Sequence, residues 1–315
     1  MASVLNEAYF HDEAAAFAAL EAIVWPNGPV CPHCGGTDRI GKLEGVRTKP
    51  SKKHPEGIVR HGLRKCYDCK GQFTARRNTV FESSHLELRQ WLQAAYLLCS
   101  SKKGISSHQL ARTLGITVKS AWFASHRLRE AMRDGKLDPL GGEGKIIEAD
   151  ETFLQDMDRF KKYTGKKGIG HKRKILTLIE RGGKARSFHI EDLAVSTVAP
   201  IVRKNVARES KFMTDEARHY KQVGRDFASH ESVEHNADEY VRGDAHVNTA
   251  EGFFSIFKRG MKGIYQHCGE KHLHRYLAEF DFRYNNRVRL GVDDGTRTKT
   301  ALRGIVGKRL MYRDS

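Results

Sequence analysis

The sequence contains 315 residues, with 55 lysines and arginines against 38 aspartates and glutamates, which gives a formal net charge of +17. Hydrophobic residues make up 39% of the chain, which is enough to form packed cores and excludes a wholly disordered protein. No apolar run approaches the roughly 18 residues that cross a bilayer, and the first residues show no basic segment followed by an apolar one. We therefore expect neither a membrane span nor a secretory signal.

The first 133 residues are expected to combine short strands with helices. Residues 8–24 predict an Ala-rich helix, and residues 29–79 predict short strands or irregular structure. Apolar residues recur at helical spacing over 86–99, 106–114 and 117–133. Residues 27–133 also hold 20 basic and 7 acidic side chains. This concentration of charge favours a phosphate-rich partner, with a merely basic soluble surface as the alternative.

The second half of the chain is expected to form an α/β domain. Its glycine-rich start, residues 134–145, predicts a linker. Short apolar runs then predict strands at 145–149, 174–179, 185–190 and 211–214. Helical patterns predict helices at 196–206, 249–261 and 272–286.

Two C-x-x-C pairs lie in the first part of the chain and are separated by 31 residues. The four cysteines are Cys31, Cys34, Cys66 and Cys69. Two residues between thiolates suit tetrahedral Zn²⁺, and four thiolates leave no open position, so we expect a structural Zn²⁺ in a zinc ribbon. Gly35 and Gly71 follow the pairs, where a knuckle turn often needs a positive φ. Redox pairs or ordinary buried cysteines are the alternatives.

Residues 103–129 predict a helix-turn-helix. Gly115 marks the turn and Thr117 caps the second helix, which is polar and basic. A second helix of this kind fits the major groove of DNA. The alternative is a plain helical bundle, because many helical hairpins contain a glycine turn.

Two short apolar runs each end in an aspartate, Asp150 and Asp215. Ligands of open α/β sheets bind at the carboxyl ends of strands, so both are candidate metal ligands. Glu251 lies on a predicted helix, with Lys258 two turns later on the same face. Carboxylates suit Mg²⁺ or Mn²⁺, and the lysine suits a DNA phosphate. Glu148 shares the face of Asp150 and competes with it, and all these acids could instead lie on solvated surfaces.

Longer motifs around these residues resemble the IS1595 family of DDE transposases, whose catalytic domain is ISXO2-like. The motifs are EADETF, GKKGIGHKRK, TDEARHY, HVNTAEGFFSIFKRGMKGIYQH and HRYLAEFDFRYNNR. The CPHC and CYDC pairs are also similar to the zinc ribbon of this family. The resemblance covers roughly residues 10–290.

The resemblance implies an α/β, RNase H-like catalytic domain, with a mixed sheet and flanking helices. In the chain this domain is preceded by the zinc ribbon and by the helix-turn-helix domain predicted above. The resemblance also implies Asp150, Asp215 and Glu251 as metal ligands and Lys258 as a DNA contact. Some relatives carry Asn as the third ligand, and Asn248 lies one turn before Glu251. We favour Glu251 because a carboxylate binds Mg²⁺ better than an amide does.

Further basic residues are expected to contact DNA. The glycine-punctuated stretch 161–174 predicts a hairpin that grips phosphates, with a solvated turn as the alternative. The predicted contacts besides Lys258 are Lys119, Ser120, Arg127, Arg129, Lys166, Lys167, Lys172, Arg173, Lys174 and Arg259.

These observations predict an insertion-sequence transposase that binds terminal inverted repeats and performs metal-dependent DNA cleavage and strand transfer. The alternatives are a DNA-binding regulator with a decayed catalytic domain and an RNase H-like nuclease. Because two DNA ends must be held together, we expect at least a homodimer on DNA, in the bacterial cytoplasm with the nucleoid. The predicted segments are an N-terminal helix (1–28), the zinc ribbon (29–80), the helix-turn-helix domain (85–135), the catalytic domain (143–290) and a C-terminal tail (291–315).

Overall fold

The computed structural model describes residues 3–133, 135, 137–154, 172–233 and 241–310. The chain divides into two compact units. The helical unit comprises Met1–Ser101, Ser107–Met132 and Asp293–Ser315, and the sheet unit comprises Lys102–Ser106 and Arg133–Val292. None of the helices in the described part of the chain is long and apolar enough to cross a membrane.

The helical unit begins with helix α1 and a small antiparallel sheet. Helix α1 spans Glu13–Val24, and the Asp12 carboxylate caps it by accepting a hydrogen bond from the Ala15 N–H at 2.7 Å. Arg64 of the sheet pairs with Glu21 of α1 at 2.6 Å, which joins the two elements. The strands are β1 (Ile40–Lys42), β2 (Arg64–Cys66) and β3 (Gln72–Phe73), in that order across the sheet.

Three further helices follow in the helical unit, α2 (Leu88–Ser100), α3 (Ser107–Leu114) and α4 (Val118–Met132). Their bounds agree with the helical spacing of the sequence to within two residues. Gly115 turns the chain between α3 and α4 with a φ of 64°, a conformation that glycine adopts without strain. The Thr117 hydroxyl accepts a hydrogen bond from the Ser120 N–H at 3.1 Å, which caps α4 as predicted.

The end of the chain returns to the helical unit. Residues 291–315 are predicted as a tail, but they contain helix α9 (Asp294–Arg303). The Asp293 carboxylate caps this helix, and the Arg297 guanidinium donates to the Cys99 carbonyl at the end of α2 at 3.0 Å. Ala301 and Leu302 are buried. The described part of this segment is therefore an integral part of the helical unit, and the prediction of a tail is corrected.

Arg127 and Arg129 of α4 are predicted to contact DNA, but both are buried, with 3% and 1% of their surface exposed. The Arg127 guanidinium donates to the Val80 and Glu82 carbonyls at 2.9 and 2.8 Å and to the Leu310 carbonyl at 3.1 Å. Burial lowers the pKa of Arg127 to about 10. Both arginines thus lie in the interior of the unit, and this corrects the expectation that they face DNA.

The sheet unit is built on five strands in the order β6-β5-β4-β7-β8. The central strand β4 pairs antiparallel with β5 and parallel with β7. The outer strands β6 and β8 pair antiparallel with β5 and parallel with β7, respectively. The strands are β4 (Ile146–Leu154), β5 (Arg173–Glu180), β6 (Ala185–Ile190), β7 (Lys211–Asp215) and β8 (Ser229–Val233). The predicted α/β class with a mixed sheet is confirmed.

Helices cover both faces of this sheet, which explains why the run of five residues Ile175–Ile179 in β5 is buried throughout. On one face, Ile147 and Leu178 pack in a core with α5 (Val195–Asn205) and α6 (Arg218–Val223). On the other face, Ile175 packs with aromatic residues of α7 (Asn248–Gly260) and α8 (Leu273–Asn285). The residues at the carboxyl end of β4 therefore lie between two packed layers.

Replacing Arg127 with methionine is expected to destabilise the helical unit. The substitution leaves three buried carbonyl groups without their donor, which costs about 2–4 kcal/mol of unfolding free energy. Urea unfolding measures this loss, and Lys119→Met, an exposed substitution on the same helix, is the control. A variant as stable as the parent that binds DNA more weakly would instead make Arg127 a DNA contact.

Candidate functional site

The four paired cysteines converge in the small sheet of the helical unit. Their sulfur atoms all lie within 4.8 Å of one another. The Cys31 and Cys69 Sγ atoms are 3.6 Å apart, and the Cys34 and Cys66 Sγ atoms are 3.7 Å apart. Four sulfurs at about 2.3 Å from a tetrahedral Zn²⁺ lie about 3.8 Å from one another. The cluster therefore fits a structural Zn²⁺.

The two knuckles that aim these sulfurs differ in their backbone. Gly35 has a φ of 77°, as predicted, and its N–H donates to the Cys31 carbonyl at 2.9 Å. In the second knuckle Lys70, with a φ of 62°, takes the left-handed conformation that was expected of Gly71. Gly71 is instead required for space, because a Cβ there would lie 2.8 Å from the His33 ring.

The surroundings of the thiols in this cluster shift their pKa values in different directions. Burial of Cys31 opposes ionisation, but hydrogen bonds from the backbone N–H groups of Cys34 and His33 outweigh it and lower the pKa of Cys31 to about 7. Backbone donors of this kind stabilise a thiolate, which is the form that binds metal. In the same knuckle the Gly36 N–H lowers the pKa of Cys34, but the neighbouring thiols outweigh it and raise that pKa to about 12.

Asp150 and Asp215 meet where the parallel pairing of β4 with β7 ends. Asp215 is the last residue of β7, whereas β4 continues past Asp150 to Leu154, so the predicted strand end at Asp150 is corrected. The ladder between β4 and β7 pairs Ala149 with Thr214, and the two aspartates are the next residues on each strand. Carboxylate oxygens of Asp150, Glu151 and Asp215 lie within 4.8 Å of one another. Hard oxygen donors at this spacing are suited to divalent cations such as Mg²⁺.

The electrostatics of this acidic cluster favour a cation. Burial, with the charges of Glu151, Asp215 and Glu251, raises the pKa of Asp150 to about 8. A hydrogen bond from the Glu151 N–H to Asp150 Oδ1 at 2.7 Å opposes this rise only in part. Like charges crowded in a largely buried site repel one another, and a divalent cation would offset that repulsion.

Glu151 is a member of the cluster that sequence reasoning missed. His219 Nε2 lies 2.9 Å from Glu151 Oε1, and the Tyr220 hydroxyl donates to the same oxygen. Both partners belong to α6, on the opposite face of the sheet from α7. Burial and the neighbouring Glu151 raise the pKa of Tyr220 well above its usual value, so its phenol remains a donor. The signal in the sequence is the pair of adjacent acids, Asp150 and Glu151, within β4.

Helix α7 carries the remaining residues predicted for the site. Glu251 is exposed and does not join the tight trio of acids found among the described residues, although its charge acts on Asp150. Lys258 is half-buried two turns further along, and Asn248 is the first residue of the helix. Phe254 is buried with the neighbouring aromatic residues against the sheet. An apolar stripe therefore fixes α7 on the sheet.

The residues predicted to contact DNA differ in how exposed their side chains are. Lys119 and Arg259 are exposed, whereas the Ser120 hydroxyl lies 2.9 Å from the Thr117 hydroxyl. Lys172 and Lys174 are half-exposed, and Lys174 Nζ donates to the Glu191 carbonyl at 3.0 Å. Arg173 is buried and donates to the Cys268 carbonyl, which corrects its prediction as a DNA contact. Lys166 and Lys167 lie outside the described residues.

Comparisons with known proteins match both units of the chain. The family profile of the ISXO2-like transposase domain matches residues 139–285. The profile of the transposase zinc-ribbon domain matches residues 11–72. A relative from Halobacterium salinarum, described as an uncharacterized protein in transposable element ISH50, is 26% identical over 296 residues, covering 87% of this chain and 91% of the relative.

The two profile matches identify a transposase zinc ribbon and a transposase domain on one chain. The cysteine cluster lies in the first, and Asp150 and Asp215 both lie in the second. The class of protein is therefore a transposase. More specifically, the chain belongs to the IS1595 family of transposases. The match also supports a structural zinc in the ribbon, as the cysteine geometry requires.

Replacing Cys66 with serine is expected to abolish zinc binding and unfold the ribbon, because three thiolates hold Zn²⁺ much less well than four. Elemental analysis of the purified protein and thermal unfolding measure the two effects. Cys99→Ser, at a buried cysteine outside the cluster, should retain the metal. If Cys66→Ser keeps its zinc and melts like the parent, the assignment of the four cysteines as ligands is wrong.

Proposed function

We propose that the protein moves an insertion sequence by binding its terminal inverted repeats, cleaving the DNA at the element ends and transferring the freed strand to target DNA. The observation that carries this proposal is the meeting of Asp150 and Asp215 where the adjacent strands β4 and β7 stop pairing, with the charge of Glu251 acting on Asp150. Paired carboxylates in this arrangement suit the chemistry of phosphodiester bonds.

The order of the strands supports an RNase H-like reading of the sheet unit. Numbered in chain order within this sheet, the strands run 3-2-1-4-5, and the second strand alone is antiparallel to the other four. A mixed sheet with flanking helices is what the family resemblance implies for the catalytic domain. The first and fourth strands lie side by side, so the residues that follow their last parallel pair, Asp150 and Asp215, come to one place.

Asp150 and Asp215 would hold divalent cations, with Glu251 as the third ligand that we favour over Asn248. When bound, Mg²⁺ or Mn²⁺ supplies Lewis-acid activation of water or a 3′-hydroxyl and stabilises the leaving oxygen. Lys258, two turns after Glu251, would bind a DNA phosphate beside the acids. The chain needs no nucleophilic side chain for this reaction, because water and the DNA hydroxyl are the attacking groups.

The helical unit would supply most of the recognition of DNA ends. The hairpin of α3 and α4 would act as a helix-turn-helix, with an exposed Lys119 near the start of its second helix. The zinc ribbon precedes it within the same basic part of the chain. Because the reaction joins two ends, we propose that at least two copies assemble on DNA.

Two alternative functions differ from a transposase in measurable ways. A regulator with a decayed catalytic domain binds end DNA without cleaving it, and a structure-specific nuclease cleaves without joining strands or requiring specific ends. One incubation of labelled inverted-repeat DNA with Mg²⁺ and the full-length protein separates the three, because only a transposase gives both cleaved ends and joined products.

Replacing Asp215 with alanine is expected to abolish cleavage and joining while leaving the binding of end DNA largely intact, because the substitution removes a metal ligand and leaves the helical unit unchanged. Gel shifts and product analysis of labelled ends measure the two properties. The control is Glu209→Gln, an exposed residue just before the opposite end of strand β7. Wild-type activity of Asp215→Ala would remove this residue from the site.

Replacing Lys258 with alanine is expected to lower the cleavage rate and weaken DNA binding without changing metal affinity. The loss of one phosphate contact should also reduce the salt dependence of binding by about one unit of slope. Salt titrations of binding measure this slope, with Lys204→Ala, at an exposed lysine in the last turn of α5, as the control. An unchanged rate and slope would refute a DNA contact at Lys258.

A further inference from the structure

We propose that Glu148 is a positioning residue that fixes helix α7, and with it Glu251, against the central strand β4. The proposal rests on the proposed function, in which Glu251 binds metal. Glu148 competes with Asp150 as a metal ligand on sequence grounds, because the two share one face of β4. The contacts of its side chain indicate a different use.

The Glu148 carboxylate caps helix α7 from a neighbouring element. Its side chain is fully buried, with 0% exposed. Its Oε2 accepts hydrogen bonds from the backbone N–H groups of Thr249 and Ala250 at 2.8 and 3.0 Å, and its Oε1 accepts one from the Thr249 hydroxyl at 2.8 Å. Val247, at the N-cap position, provides no side-chain cap. Glu148 therefore satisfies the first turn of α7 and its positive dipole.

Arg181 completes this connection between strand and helix. Its Nε donates to Glu148 Oε1 at 2.6 Å, which pairs the buried negative charge. Its Nη2 donates to the His246 carbonyl at 2.9 Å and lies 3.0 Å from His246 Nδ1. The segment that leads into α7 is thus held by the same pair of charges. The Glu148 oxygens are fully engaged, so Glu148 could not bind metal without releasing the helix.

The spacing along both elements makes this connection relevant to the acidic site. Asp150 follows Glu148 by two residues on β4, and Glu251 follows Thr249 by two residues on α7. The capping contacts therefore set how far Glu251 lies from the aspartates. A shift of the first turn of α7 would move Glu251 directly, whereas Asp150 and Asp215 would remain fixed by the strand ladder.

The test measures Mn²⁺ binding to the full-length protein by water proton relaxation. Glu148→Gln keeps the size of the side chain but replaces one acceptor oxygen with a donor amide. We expect its Mn²⁺ affinity to fall about tenfold, the effect typical of losing a group that orients a metal ligand. In a Glu251→Gln background the same substitution should have little further effect, because the residue it positions is already neutral. Glu180→Gln, at a carboxylate that accepts from the Gly141 N–H at 3.2 Å, is the matched control and should bind Mn²⁺ like the parent.

Hydrogen exchange of the metal-free protein provides a second readout that does not depend on metal binding. The Thr249 and Ala250 amides should exchange faster in Glu148→Gln than in the parent, and their exchange in Glu180→Gln should not change. Thr249→Val should resemble Glu148→Gln, whereas Thr249→Ser, which keeps the hydroxyl, should restore parental Mn²⁺ affinity. If Glu148→Gln does not fold, the comparison of Thr249→Val with Thr249→Ser tests the proposal in its place.

Unchanged amide exchange in Glu148→Gln would overturn the proposal. An equal loss of Mn²⁺ affinity in the parent and Glu251→Gln backgrounds would also overturn it, since Glu148 would then act on the metal independently of Glu251. If Glu251→Gln itself leaves Mn²⁺ binding unchanged, the ligand assignment of the proposed function fails. The exchange data alone then decide whether Glu148 holds the helix.

Discussion

The parallel pairing of β4 with β7 is the constraint on which the rest of the candidate site depends. It fixes the backbone of Asp150 beside that of Asp215 in the middle of the sheet, where neither strand can move away. The cost of this arrangement is the mutual repulsion of buried carboxylates, which contributes to raising the pKa of Asp150 to about 8. A protein keeps such crowded charges where a cation or a reaction uses them.

The two faces of the sheet serve this pair of aspartates in different ways. On one face, His219 and Tyr220 of α6 hold the Glu151 side chain beside the aspartates. On the other face, the Glu148 carboxylate holds the first turn of α7, which carries Glu251. Two glutamates of strand β4 thus connect the acidic cluster to both helical layers: Glu151 to α6 and Glu148 to α7.

Local pattern predicted much of this architecture but not its tertiary contacts. The apolar runs that end in Asp150 and Asp215 predicted their strands, because strands buried on both faces require such runs. Strand β8, with the polar sequence SHESV at the edge of the sheet, carries no comparable signal. The burial of Arg127 also could not be predicted, because its partners include the carbonyl of Leu310, 183 residues away in sequence. The use of Glu148 as a cap likewise depends on a helix 101 residues further along the chain.

Anomalous diffraction from crystals of the protein soaked in Mn²⁺ tests the central claim most directly, because it locates the cation without reference to activity. The account predicts an anomalous peak within bonding distance, about 2.2 Å, of carboxylate oxygens from both Asp150 and Asp215. A fully soaked crystal with no peak between these two side chains, and with manganese bound at other acids instead, would contradict it.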